Sequence, residues 1–275
     1  MLTGGIFNVF GDWFCVFALD LGVFGAGLAT AIGAVVSMLV MCSHFLSKKC
    51  TLRLVPVQNL FKKLGEIAVT GFSSFFVDVA MGILTVLFNR QIMKYLGSDA
   101  LAVYATVINI STFVQCCAYS VGQAAQPILS TNYGAGNAAR IRKTLFLALG
   151  TSMAFAAFWT GLSELAPGLY IRIFMRPTDA ILAIAPSIIR RYSVSFILLP
   201  VNIFSTYYFQ SILRPKDSFI VSIARGLVVS GLLIFALPAI FAPESIWWAM
   251  PLTELVTFVY AGLAMRRDTR ALSQN

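Results

Sequence analysis

Long apolar runs alternate along the chain with short breaks that carry charges, prolines or glycines. A helix needs roughly 20 residues to cross the hydrocarbon core of a bilayer. Runs of about that length occupy approximately 2–19, 24–46, 65–88, 100–126, 144–164, 186–209, 218–241 and 246–265. The pattern predicts an all-α integral membrane protein with about eight transmembrane helices. The stretch 100–139 contains no Asp, Glu, Lys or Arg. It outlasts a single span, so the helix is expected to leave the membrane through Gly122-Gln123-Ala124-Ala125-Gln126-Pro127 and enter a loop carrying Asn132-Tyr133-Gly134-Ala135-Gly136.

Composition excludes a soluble domain, because 59% of the residues are hydrophobic and only 11% are charged, against roughly 25% charged in soluble proteins. The N-terminus lacks a basic leader and its first apolar run contains Asp12, so no cleavable signal peptide is expected and the first helix is retained. A net charge of +9 raises the question of nucleic acid, but the basic residues follow topology. Lys48, Lys49, Arg53, Lys62 and Lys63, then Arg140, Arg142 and Lys143, then Arg214 and Lys216, then Arg266, Arg267 and Arg270 fall on alternate loops. The positive-inside rule then predicts a multi-pass protein of a bacterial-type plasma membrane with both termini cytoplasmic, and no nucleic-acid partner. Five cysteines without a C-x-x-C pair and the single histidine, His44, offer neither a structural metal site nor a catalytic base, so no enzyme is expected.

The basic segment 47–64 has lysines beside an apolar face of Leu60, Phe61 and Leu64, which suits a cytoplasmic amphipathic linker lying on lipid headgroups. It separates two spans in 1–46 from six in 65–266, with a cytoplasmic tail at 267–275. Polar residues inside the spans carry the functional signal. Asn109, Thr112, Cys116, Tyr119, Gln123 and Gln126 recur at alternating steps of three and four, one face of a helix. Ser195, Asn202, Thr206 and Gln210 share a face of a later span. Such stripes serve either as walls of a substrate cavity or as interhelical hydrogen bonds, and both readings stay open; two of them together favour a cavity between opposed walls.

Carboxylates are sharper, since an Asp near the bilayer centre costs roughly 2.5–3.5 kcal/mol. Asp12 and Asp78 are the main cases, and Asn8 stands one turn before Asp12 on the same face. Low-dielectric surroundings favour the neutral carboxyl, which makes such an acid a proton carrier. With amide and hydroxyl oxygens beside it, Asp12 could instead hold a hard cation such as Na⁺. Glu254 either faces the bundle or pairs with Arg225 on the preceding span, and Glu164 reads as an interfacial charge near an outer helix end.

The segment 122–136, followed by Arg140-Ile141-Arg142-Lys143, resembles the segment after the eighth helix of multidrug and toxic compound extrusion (MATE) transporters, in the DinF/MepA-like branch. Asn8-Val9-Phe10-Gly11-Asp12 and Gly22-Val23-Phe24-Gly25-Ala26-Gly27-Leu28-Ala29-Thr30 resemble the family's fifth and sixth helices. Phe75-Phe76-Val77-Asp78 resembles its acidic seventh, and Asn202 through Gln210 with Arg225-Gly226 its tenth and eleventh. The resemblance implies a two-lobe architecture of the MOP superfamily, with the last two N-lobe helices in 1–46 and a complete six-helix C-lobe in 65–266.

The resemblance further implies cation-coupled antiport, H⁺ or Na⁺ against amphipathic organic cations, by alternating access and with no other cofactor. Asn8, Asp12 and Thr30 match the family's N-lobe cation site, Asp78 its C-lobe acid. Asn109, Thr112, Tyr119, Gln123, Asn202 and Thr206 are the expected substrate-cavity residues. A first-helix aspartate of that cation site has no counterpart here, so the expectation is a truncated chain or fragment, partial or inactive without the missing N-lobe helices. A lipid-linked oligosaccharide flippase of the same superfamily and a non-transporting membrane remnant are the alternatives.

Overall fold

The structure, a computed structural model, describes residues 2–46 and 59–272, and every regular element among them is helical. The helices are α1 (Leu2–Trp13), α2 (Gly22–Cys42), α3 (Leu60–Tyr95), α4 (Gly97–Gly134), α5 (Ala138–Leu165), α6 (Pro167–Phe174), α7 (Asp179–Ser193), α8 (Leu199–Ser211), α9 (Pro215–Ile223), α10 (Val229–Ile240) and α11 (Ala249–Leu272). A π-helical turn, Phe14–Ala18, extends α1, and a second, Ala224–Val228, joins α9 to α10. Tight 3₁₀ turns join α7 to α8 and lead into α11. Read across these turns, six stretches of the described chain are long and apolar enough to cross a membrane: Gly22–Phe45, Gly97–Gly134, Ala138–Leu165, Asp179–Ser211, Pro215–Ile240 and Pro243–Thr269.

The chain divides into two compact units, Met1–Leu60 and Phe61–Asn275. In the first, α1 and its π turn pack along α2 as a helical hairpin. A turn with Asp20 and Gly22 at positive φ reverses the chain. Little hydrophobic force acts between helices in lipid, so their contact relies on close approach of small residues. Gly4 lies so near α2 that a Cβ there would stand 1.7 Å from Ser37 Oγ. Outward-facing Phe10, Phe17, Val23 and Phe24 are exposed, as an apolar solvent permits.

In the second unit α4 is the central helix and packs on α8, α5 and α7. One apolar cluster gathers Phe88, Tyr104, Tyr192, Phe196 and Trp247; another gathers Leu129, Phe204, Tyr208, Phe209 and Met265. Gly122 lets α4 press on α8, since a Cβ there would meet Tyr207 Cδ2 at 2.3 Å.

One expectation is corrected. The helix does not break at the Gln/Pro segment: α4 runs through Pro127 to Gly134. Pro127 removes the backbone bond to the carbonyl four residues earlier, yet the helix goes on; just beyond it Ser130 Oγ donates to Pro127 O at 3.2 Å and Asn132 Nδ2 donates to Ile128 O at 2.7 Å. The turn falls on Ala135 and Gly136, the latter at φ +67°, and Asn137 caps α5 by accepting from Arg140 N at 3.1 Å. Within the ranges read as linker and tail, α3 begins at Leu60 and α11 continues to Leu272. Residues 47–58 lie outside the described residues. The short helix α6 follows Ala166, and Pro167 sits at its first turn, where its missing N–H costs nothing.

Candidate functional site

In the Met1–Leu60 unit, Asn8 and Asp12 sit on α1 and Thr30 on α2. Gly33 holds the helices close at this level: a Cβ there would be 3.1 Å from Asn8 Cβ. Asn8 Nδ2 then donates to Thr30 Oγ1 at 3.3 Å, and Thr30 Oγ1 donates to Ala26 O at 3.0 Å. Asp12 lies one turn beyond Asn8 on the same face. It is partly buried, and its Oδ1 is enclosed with no hydrogen-bond partner among the described residues. An acceptor left in that state costs about 1–3 kcal/mol. The π turn begins two residues further on, and such turns are frequent at functional positions.

The Phe61–Asn275 unit contains a different arrangement. Glu254 of α11 is 0% exposed. Its Oε1 accepts from Arg225 Nε at 2.6 Å, and its Oε2 accepts from Asn202 Nδ2 at 2.6 Å. Asn202 Nδ2 also lies 2.8 Å from the Glu254 carbonyl. Arg225 occupies the π turn between α9 and α10, and its side chain is 11% exposed. Along the chain the triad falls between members of the two apolar clusters: Ile203 and Phe204 follow Asn202, Val221 and Ile234 bracket Arg225, and Met250 and Ala261 bracket Glu254. The triad is a polar joint that ties α8, α11 and the α9–α10 span together. Of the two readings left open for Glu254, pairing with Arg225 is the one found.

This arrangement overturns one expected role. Asn202 does not face Asn109 and Thr112 across a cavity, because it is wholly buried and bonded to Glu254. Nor do α4 and α8 stand apart as opposed walls: they pack directly, with Tyr119 and Tyr207 edge to face at 6.4 Å and Tyr207 seated on Gly122. Asn109, Thr112 and Gln123 instead lie exposed on the outside of this unit, Tyr119 half-buried beside them with its hydroxyl 3.5 Å from Gln115 Oε1. Thr206 is partly buried and donates to Ile203 O at 2.7 Å. The side chain of Asp78 lies outside the described residues. Glu164 accepts from Ser193 Oγ at 3.1 Å at the end of α5. Sequence reasoning had placed Arg225 and Glu254 on neighbouring spans but assigned Asn202 to another group; its spacing gives no sign of which neighbour it meets.

Six apolar helical stretches, two units joined through a segment of basic sequence, and polar residues enclosed within the spans define a multi-pass membrane protein. The sequence model of the MatE family matches residues 74–235, more than half of the chain, and the chain belongs to that family. It is 25% identical over 265 residues to the multidrug export protein MepA of Staphylococcus saprophyticus, covering 96% of this chain and 58% of that protein. MepA of Staphylococcus haemolyticus is 24% identical, covering 93% of this chain and 56% of its own length. Among solved structures, an outward-facing multidrug resistance MATE family transporter of the MOP superfamily superposes with a TM-score of 0.90 at 20% identity, over 100% of this chain and 62% of that one. A MOP superfamily transporter from Pyrococcus furiosus matches with a TM-score of 0.88 at 20% identity, over 99% and 62%. The chain thus spans a little over half the length of these relatives.

Proposed function

We propose that this chain supplies the coupling site and the C-terminal lobe of a cation-driven exporter of amphipathic organic cations, with Asn8, Asp12 and Thr30 as the site that exchanges H⁺ or Na⁺. The observation that carries this reading is the enclosed, unpartnered Asp12 Oδ1 one turn from the Asn8–Thr30 hydrogen bond. Protonation would remove the cost of a charged carboxylate in a span, and a sodium ion would meet it with oxygen ligands; either event changes the favoured packing of the helices. Substrate and coupling ion then favour different states, which is what alternating access requires. Asn109, Thr112, Tyr119, Gln123 and Thr206 remain the proposed substrate contacts and Asp78 the counter-charge for a cationic substrate. The alternation of basic loops supports a cytoplasmic side for both termini in a plasma membrane. An oligosaccharide flippase would want a free interior cation for a pyrophosphate, and Arg225 is committed to Glu254.

The test is transport of a fluorescent lipophilic cation in liposomes under an imposed proton or sodium gradient, using a transporter that includes this chain. Asp12→Asn keeps the size and hydrogen-bonding capacity while removing the titratable charge, so gradient-driven movement should disappear. Wild-type transport by that variant would remove Asp12 from coupling.

A further inference from the structure

The end of the second unit where α5 begins and α11 finishes holds arginines in two conditions. Arg267 and Arg214 are engaged within the unit: Arg267 bonds Asp217 at 3.0 Å and Asp268 at 3.2 Å, Arg214 reaches Asp268 at 3.8 Å, and Tyr260 Oη donates to Asp217 at 2.8 Å. Arg142 of α5 and Arg266 of α11 have neither an acidic nor a hydrogen-bonding partner among the described residues. Both line one groove of about 550 Å³.

The groove lies between two helices that each pack on α8, with buried Val201 of α8 among its lining residues. Helical spacing then sets its chemistry. Arg142, Phe146 and Leu149 follow one face of α5, and Phe258 and Arg266 one face of α11. Each stripe carries its arginine at the same end of the unit and turns apolar toward the middle of the span. Two guanidinium forks side by side bind phosphate oxygens, and an apolar strip leading away from them suits an acyl chain. A free phosphate would leave that strip without a partner, and a zwitterionic headgroup would bring its own cation beside the two arginines.

We propose that this groove binds one anionic phospholipid of the surrounding bilayer, its phosphate between Arg142 and Arg266 and an acyl chain along Phe146, Leu149 and Phe258. By the orientation proposed above the lipid belongs to the cytoplasmic leaflet, where anionic headgroups concentrate. Only that assignment of leaflet rests on the orientation; the binding itself does not.

The experiment is native mass spectrometry of the purified chain in detergent, titrated with dioleoyl phosphatidylglycerol or dioleoyl phosphatidylcholine. Phosphatidylglycerol should be retained in preference. Arg142→Gln with Arg266→Gln should weaken its retention roughly tenfold or more, since each basic residue near a headgroup contributes severalfold. Arg140→Gln with Lys143→Gln removes the same charge from the same end without lining the groove, and should change retention less than about twofold. Leu149→Trp, which fills the groove while keeping both arginines, should also reduce retention. Equal weakening by the two charge-removing pairs, equal retention of phosphatidylcholine, full retention by the filled groove, or displacement by inorganic phosphate alone would each overturn the site. Impermeant labelling at position 140 reads the leaflet separately, so an inverted orientation would move the lipid to the other leaflet and leave these results unchanged.

Discussion

In the Met1–Leu60 unit Asp12 keeps an enclosed oxygen with no partner among the described residues, whereas in the Phe61–Asn275 unit Glu254 has every carboxylate oxygen answered. Both acids sit among apolar residues, yet only one is neutralised by its own lobe. A buried carboxylate with an arginine and an amide is a closed charge balance, and disturbing it costs folding energy. In the proposed role of Asp12 a mobile cation meets the vacant acceptor, and such a group gives up little stability when it is changed. The same residue chemistry therefore serves as a joint in one lobe and as a proposed exchange point in the other. The helical context follows the difference only partly, since both acids belong to clusters with a π turn: Phe14–Ala18 just beyond Asp12, and Ala224–Val228 around Arg225.

The comparison breaks first at Glu254. Glu254→Gln leaves Arg225 buried without its counter-charge, and unfolding of the purified chain in detergent should show a loss of about 3–5 kcal/mol. Joint replacement, Glu254→Leu with Arg225→Met, should recover most of it, because an apolar pair of similar volume removes both charges from the interior. A single variant as stable as the parent would mean that Arg225 finds another partner and that the joint is not one. A smaller effect is expected from Gly4→Leu, which forces α1 away from Ser37 at a cost of about 1–3 kcal/mol. Hydrogen exchange should register faster opening of the α1 amides with the second unit unchanged; unaltered α1 protection would show that close packing does not hold the hairpin. Smallest of all is the stability effect of Asp12→Asn, within about 0.5 kcal/mol, read by the same exchange measurement. A loss comparable to that of Glu254→Gln would place the two acids in the same structural role and end the distinction.

The sequence by itself determined the membrane class, the approximate spans and the family resemblance, because apolar length and the placement of basic loops are properties of the chain read in order. It also put Asn8 and Asp12 on one face of a helix, and it grouped Thr30 with them by resemblance. Only the tertiary structure decided that Thr30 meets Asn8, that Asn202 turns inward to Glu254 while Asn109 and Thr112 stay outside, and that α4 continues through Pro127. The π turns around Arg225 and beyond Asp12, and the short helix α6, were equally hidden. The physical reason is that helical periodicity fixes which residues share a face but not which neighbour that face meets. Rotation and height of one helix against another depend on where glycines such as Gly33 and Gly122 let backbones approach, and that is settled by packing across spans rather than along them.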